Sequence, residues 1–171
     1  MSGSPKTVAE GLHDIPSHLA ALRSQDGIKR EHARQALVYA GKQAVDPLIE
    51  LLTDSNHQTR WEAAKALGEI ADPKAASSLV RSLEDKEFDV RWLAAVGLIA
   101  IGKEALVPLL KALSKHADSV WLREGAHHVL HDLSKKGFMD LATPVLAALE
   151  GTDPEIEVPG PTRMALRQLK S

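Results

Sequence analysis

A chain of 171 residues is long enough for one domain or for a row of repeats. Lys+Arg 21 against Asp+Glu 23 leaves a net charge of −2, which predicts no nucleic-acid footprint, and the lack of cysteine excludes a disulfide scaffold, a thiol nucleophile and a thiolate metal site. No apolar run approaches the ~18 residues of a membrane-spanning helix, and MSGSPKTVAEGLHDI has no signal-peptide core, so no membrane role is expected and the expected compartment is the cytoplasm.

Met1–Ser24 is expected to carry a short extra helix before Ile15-Pro16 and then the first helix of a repeat. Two segment types then alternate. REHARQALVYA (Arg30–Ala40) precedes VDPLIELL (Val45–Leu52), and RWEAAKALGEI (Arg60–Ile70) precedes ASSLVRSL (Ala76–Leu83). RWLAAVGLIAI (Arg91–Ile101) precedes LVPLLKAL (Leu106–Leu113), and REGAHHVLHDL (Arg123–Leu133) precedes ATPVLAAL (Ala142–Leu149). The heading arginines Arg30, Arg60, Arg91 and Arg123 are spaced by 30, 31 and 32 residues; Ala33, Ala63, Ala94 and Ala126 follow at the fourth position, and Leu37, Leu67, Leu98 and Leu130 at the eighth. In Arg60–Ile70 the apolar Ala63, Ala66, Leu67 and Ile70 fall at i, i+3, i+4 and i+7, one face of a helix; Val45, Leu48, Ile49 and Leu52 do the same. Asp54 or Ser55, Asp85, and Asp118 or Ser119 are placed to cap helices, while Gly41 and Gly102 mark helix ends. SKKGFMD (Ser134–Asp140) lengthens the fourth connection, EGTDPEIEVPGP (Glu150–Pro161) reads as a loop, and TRMALRQLKS (Thr162–Ser171) as a capping helix with Met164 and Leu166 or Leu169 facing inward.

Each helix pair has more apolar surface than it can hide, so pairs must stack into a solenoid. The expected repeats are roughly 15–41, 42–72, 73–102 and 103–137, with a partial unit over 138–171, all in one domain. Ala63, Ala64, Ala94, Ala95 and Gly97 are expected to let neighbouring helices approach closely.

RWEAAKALGEIADPKAASSLVRSL (Arg60–Leu83) and FDVRWLAAVGLIAIGKEALVPLLKAL (Phe88–Leu113) resemble the short HEAT-like repeat of the phycobilisome-lyase type, whose pattern is D-x-x-V-R-x-x-A-A-x-A-L-G. The resemblance covers roughly residues 16–150. It implies an all-α, right-handed superhelix of about four helix hairpins plus a terminal helix, with the R-x-x-A-A helix on the concave side. It also implies that the arginine ladder is structural, tying repeats together through acids; Asp54, Asp85 and Asp89 are the nearest candidates for Arg60 and Arg91.

In that frame the variable positions of the R-x-x-A-A helix are free for function. They include Tyr39, Trp61, Glu62, Lys65, Glu69, Trp92, Leu93, Val96 and His128. Trp61 and Trp92 lie one repeat apart and are expected side by side, with a rim of Glu31, Glu62, Lys65, Glu69, Glu124 and Asp132 that is acidic on balance. Exposed tryptophan with a charged rim is the composition of a protein interface. The expected function is therefore a non-catalytic scaffold that grips a protein or peptide with a basic segment, without cofactor; the same patch could also join two copies of the chain.

The alternative is an enzyme with a metal or small molecule. His127 and His131 fall at i, i+4, a spacing that can share a metal, with His128 and Glu124 close by, but H-E-x-x-H is absent. The HEAT-type deoxyhypusine hydroxylases resemble this pattern but need His-Glu pairs after the arginine, and the chain contains no His-Glu dipeptide. A bilin lyase would use the tryptophans for a flat tetrapyrrole in a groove that four short repeats leave shallow. HEAT-like DNA glycosylases need a basic groove, and the groove expected here is acidic.

Overall fold

The computed structural model describes residues 14–169, and the short helix expected before Ile15-Pro16 lies outside them. The described elements are α1 (Ile15–Ala21), α2 (Gly27–Ala40), α3 (Lys42–Leu51), α4 (His57–Ile70), a 3-10 turn (Pro73–Ala75) leading into α5 (Ala76–Ser82), α6 (Phe88–Ile101), α7 (Lys103–Leu113), α8 (Val120–Leu133), α9 (Met139–Leu149), α10 (Pro154–Glu157) and α11 (Pro159–Gln168). The helix starts follow from local chemistry: Asp26 accepts from the Ile28 amide at 2.9 Å, Asn56 from Thr59 at 3.2 Å and Ser119 from Leu122 at 3.3 Å, each filling an orphan donor of the first turn. Asp54 and Asp85, expected as caps, stand two residues before the capping position and instead accept from the Asn56 and Glu87 amides at 2.9 Å each.

The helices form two rows. The arginine-headed helices pack in series, α2 on α4, α4 on α6 and α6 on α8. The second row runs through α1, α3, the turn with α5, and α7. The repeated alanine and leucine positions are the seam between rows: Ala33, Ala63, Ala94 and Ala126, like Leu37, Leu67, Leu98 and Leu130, are all buried. Each leucine so removed from water contributes about 1.5–3 kcal/mol of transfer free energy. The α4–α6 joint is the tightest. A Cβ on Gly68 would stand 3.2 Å from the Gly97 Cα, and one on Gly97 would stand 3.0 Å from Leu79 Cδ1. The helical repeat stack expected from the periodicity is thus the fold.

Gly41 and Gly102 end α2 and α6 with φ of +60° and +79°, a region that costs an L side chain free energy but not glycine. The same position of the second repeat holds Ala71, at φ +54°. Ala71→Gly is therefore expected to stabilise the fold by about 0.5–1 kcal/mol, the relief of left-handed strain outweighing the extra chain entropy of the unfolded state. A rise in urea midpoint without a change of slope checks this.

The fourth unit departs from the plan. Residues 150–161 are not a loop, since they hold α10 and the start of α11, whose Pro159 and Pro161 fit a first turn that needs few amide donors. It is α11 that packs against both α7 and α9. The buried side of α11 is built from Thr162 and Ala165, with Val158 just before it, while Met164 points outward at 63% exposure and Leu166 and Leu169 are half-buried. Small residues let the helix settle close to its neighbours, which is why the expected methionine anchor is not used.

Candidate functional site

Each heading arginine performs the same local task. Its Nη1 donates back to the carbonyls six and five residues earlier, holding the loop that enters its own helix: Arg30 to Ser24 at 2.8 Å and Gln25 at 3.1 Å, Arg60 to Asp54 at 3.0 Å and Ser55 at 3.3 Å, Arg91 to Asp85 at 2.8 Å and Lys86 at 3.2 Å. Arg123 reaches Ala117 in the same way. The rest of the guanidinium faces the next repeat. Arg60 forms a two-bond fork on Asp85 at 2.7 and 3.0 Å and Arg30 donates from Nε to Glu62 at 3.2 Å, while at Arg123 it is Nη1 itself, the nitrogen that reaches Ala117, that lies 3.9 Å from Glu155 on α10. Burial pushes the Asp85 carboxyl up, but the Arg60 fork and the Glu87 amide outweigh it and hold it below the usual carboxylate range. The Asn56 amide does most to hold Asp54 low, helped by Arg23.

Arg91 is different. Asp85 lies 25 residues after Arg60, and 25 residues after Arg91 stands His116. Among the described residues Arg91 has no carboxylate partner. Its guanidinium lies instead 4.6 Å from the Trp121 ring centre and 5.6 Å from that of Phe88. Phe88 and Trp92 on α6, and Trp121, Glu124 and His128 on α8, project from facing sides at helical spacing and enclose a cleft of about 180 Å3. Gly125 lets α8 come close at its floor, because a Cβ there would stand 2.7 Å from the buried Leu83 Cδ2. Trp92 stacks on His128, ring centres 4.7 Å apart and planes 25° apart. Phe88, Trp92 and Trp121 remain 68%, 48% and 43% exposed.

The residues singled out from sequence fall in three places. Trp92 and His128 meet in the cleft, with Val96 exposed further along α6 and Leu93 half-buried against the core. Trp61 is half-buried and turned the other way, with Arg34 5.7 Å and Lys65 6.0 Å from its ring centre, and among the described residues no ring contact joins it to Trp92. Tyr39 is exposed near the end of α2. The acidic rim is largely spent internally. Glu62 is 3% exposed and binds Arg30 and Arg34, the latter at 2.6 Å, so it cannot face a partner. Glu69 pairs with Lys65 at 3.3 Å, and Asp132 with Lys136 at 2.8 Å. The charge argument for a basic partner segment therefore loses most of its carboxylates.

Phe88, Arg91 as a lining group, and Trp121 were not reached from sequence, because the repeat frame starts at the arginine and two of these precede it. The signal was present: Trp121, Glu124 and His128 follow i, i+3, i+7. His127 and His131 stack with ring centres 6.1 Å apart, and His127 is held by Glu150 at 2.7 Å. Among the described residues no group of three or more His, Cys, Asp or Glu is placed to hold a metal ion. No described helix is long and apolar enough to cross a membrane.

Comparison with known proteins agrees with this geometry over the first half. A family model for HEAT repeats matches residues 15–98. That covers the first two arginine-headed helices, most of the third, and just under half of the chain. No curated protein matches. Among solved structures the chain is similar to two engineered proteins from the Northeast Structural Genomics Consortium. One is 25% identical over 92% of this chain and 48% of the other, with a TM-score of 0.46; the second is 24% identical over 91% and 79%, also at 0.46. The chain thus spans about half the length of the first.

Proposed function

We propose that the chain is a non-catalytic scaffold whose arginine-headed row, from α4 to α8, grips a partner protein or peptide. The observation that carries this is the exposure of three large aromatic side chains around one cleft. Leaving a Trp or Phe half in water forgoes on the order of 1 kcal/mol each of burial that the core could have supplied. Exposed aromatics rimmed by charge are the composition of interface anchors. The close approach of α4 and α6 at Gly68 and Gly97 supports this row as the shorter, concave arc. The alanine-rich frame supports the short HEAT-like variant of the repeat, and HEAT-repeat scaffolds commonly bind proteins. The wider patch includes Val96, Leu93, Trp61, Lys65 and Tyr39.

Trp92→Ala combined with Trp121→Ala should leave helical circular dichroism unchanged and abolish capture of the partner from native lysate, whereas Met164→Ala, exposed on α11 and outside the patch, should leave it unchanged. Unfolding of the double variant, or undiminished capture by it, would overturn this reading. Sedimentation of the purified chain separates a partner from a second copy: a dimer that dissociates in the same double variant identifies the occupant as the chain itself.

A further inference from the structure

We infer that the cleft between α6 and α8 receives a peptide segment of a partner protein in which one carboxylate stands beside an apolar side chain, the carboxylate completing the arginine ladder at Arg91. This rests on the scaffold reading above and names the chemistry of its partner. Three of the four rungs have an acid supplied by the chain itself: Glu62 for Arg30, Asp85 for Arg60 and Glu155 for Arg123. At Arg91 neither spacing supplies an acid: 25 residues on, as Asp85 from Arg60, stands His116, and 32 residues on, as Glu62 from Arg30 and Glu155 from Arg123, stands Arg123. Among the described residues its hydrogen bonds come from Nη1, which leaves the Nε and Nη2 edge unbonded in a residue that lines the cleft. That edge presents parallel donors in the geometry that a carboxylate accepts in pairs.

Size and charge narrow the occupant. A volume of about 180 Å3 falls below the ~300–1,000 Å3 usual for a small-molecule site, but it admits one or two side chains of a peptide. A cation such as a lysine finds no bare aromatic box, because Arg91 already covers Trp121 at 4.6 Å and His128 covers one side of Trp92. Phe88 and the free side of Trp92 offer apolar contact next to the guanidinium. Glu124 on the α8 lip disfavours a second negative charge, so the segment carries one acid here rather than an acidic run.

The test is selection of random phage-displayed peptides on the full chain, followed by titration of the enriched peptide against indole fluorescence. Enriched sequences should place Asp or Glu next to Leu, Ile, Phe or Met. Arg91→Glu should weaken the selected peptide at least tenfold, Trp121→Ala should weaken it comparably, and Arg91→Lys should weaken it less than Arg91→Glu. If Arg91→Glu does not fold, the wild type still decides: raising salt from ~0.05 to ~0.5 M should weaken binding several-fold, since exposed charge pairs are screened over that range. Basic sequences, or acidic ones indifferent to salt and to Arg91, overturn the inference. Purely apolar sequences lost in Trp121→Ala overturn the role of Arg91 while leaving the scaffold reading intact. No enrichment at all overturns the inference alone, since a folded protein partner would still be captured from lysate.

Discussion

Arg60→Ala is expected to lower the unfolding free energy by about 3–4 kcal/mol, the usual consequence of removing one member of a buried ion pair. The Arg60 and Asp85 side chains are only 7% and 9% exposed, so the change strands a carboxylate away from water and leaves the Asp54 and Ser55 carbonyls without their donor. For a chain of this size that is a drop of roughly 10 °C in Tm. Arg60→Lys keeps the charge but not the two-bond fork and should recover only part of the loss. The same pair sets an acid limit. Asp85 and Asp54 titrate lower in the fold than in the unfolded chain, so their contribution is complete above about pH 4 and is lost as pH falls through their depressed values. Urea unfolding at neutral pH and near pH 3 should show the wild type losing more stability on acidification than Arg60→Ala, which has already lost the pair.

Glu62→Ala is expected to cost about 2–4 kcal/mol, by leaving two partly buried cations without their shared anion. Arg30 and Arg34 meet on this one carboxylate at 3.2 and 2.6 Å, with side chains 18% and 11% exposed, and among the described residues Arg34 has only Glu69, at 3.9 Å, as a further acid. Replacing all three by apolar residues of similar volume should restore most of the loss, because the desolvation of three charges then disappears together with their attraction. Thermal unfolding of the single and triple variants distinguishes a triad that adds net stability from one that fixes how α2 sits on α4. A single variant as stable as wild type would show that water reaches the arginines and that the triad is not buried in solution.

The repeat itself was legible because a stack imposes the same burial on every unit: the alanine and leucine columns had to be apolar, and a 31-residue step made them visible. The arginine ladder is legible for the same reason, while its acidic partner came from the family resemblance, which offered Asp85 as one of three candidates beside Asp54 and Asp89. What spacing could not give was the direction of a long side chain. Glu62 sits at a variable position, yet it turns inward because two arginines of α2 converge on it. Trp61 and Trp92 share a column, yet one turns to the cations of α2 and α4 and the other to His128. The aromatic cleft was missed where it draws on residues before the arginine, in the first turn of each helix. The slot taken by α11 was missed because it depends on where the long fourth connection carries α9, which no local pattern encodes.

That slot has a mechanical consequence. A chain of stacked hairpins pulled from its last residue would ordinarily peel off one hairpin at a time, outermost first. Here α11 is wedged beside both α7 and α9, so tension applied beyond α11 must extract this latch before those two helices can unspool.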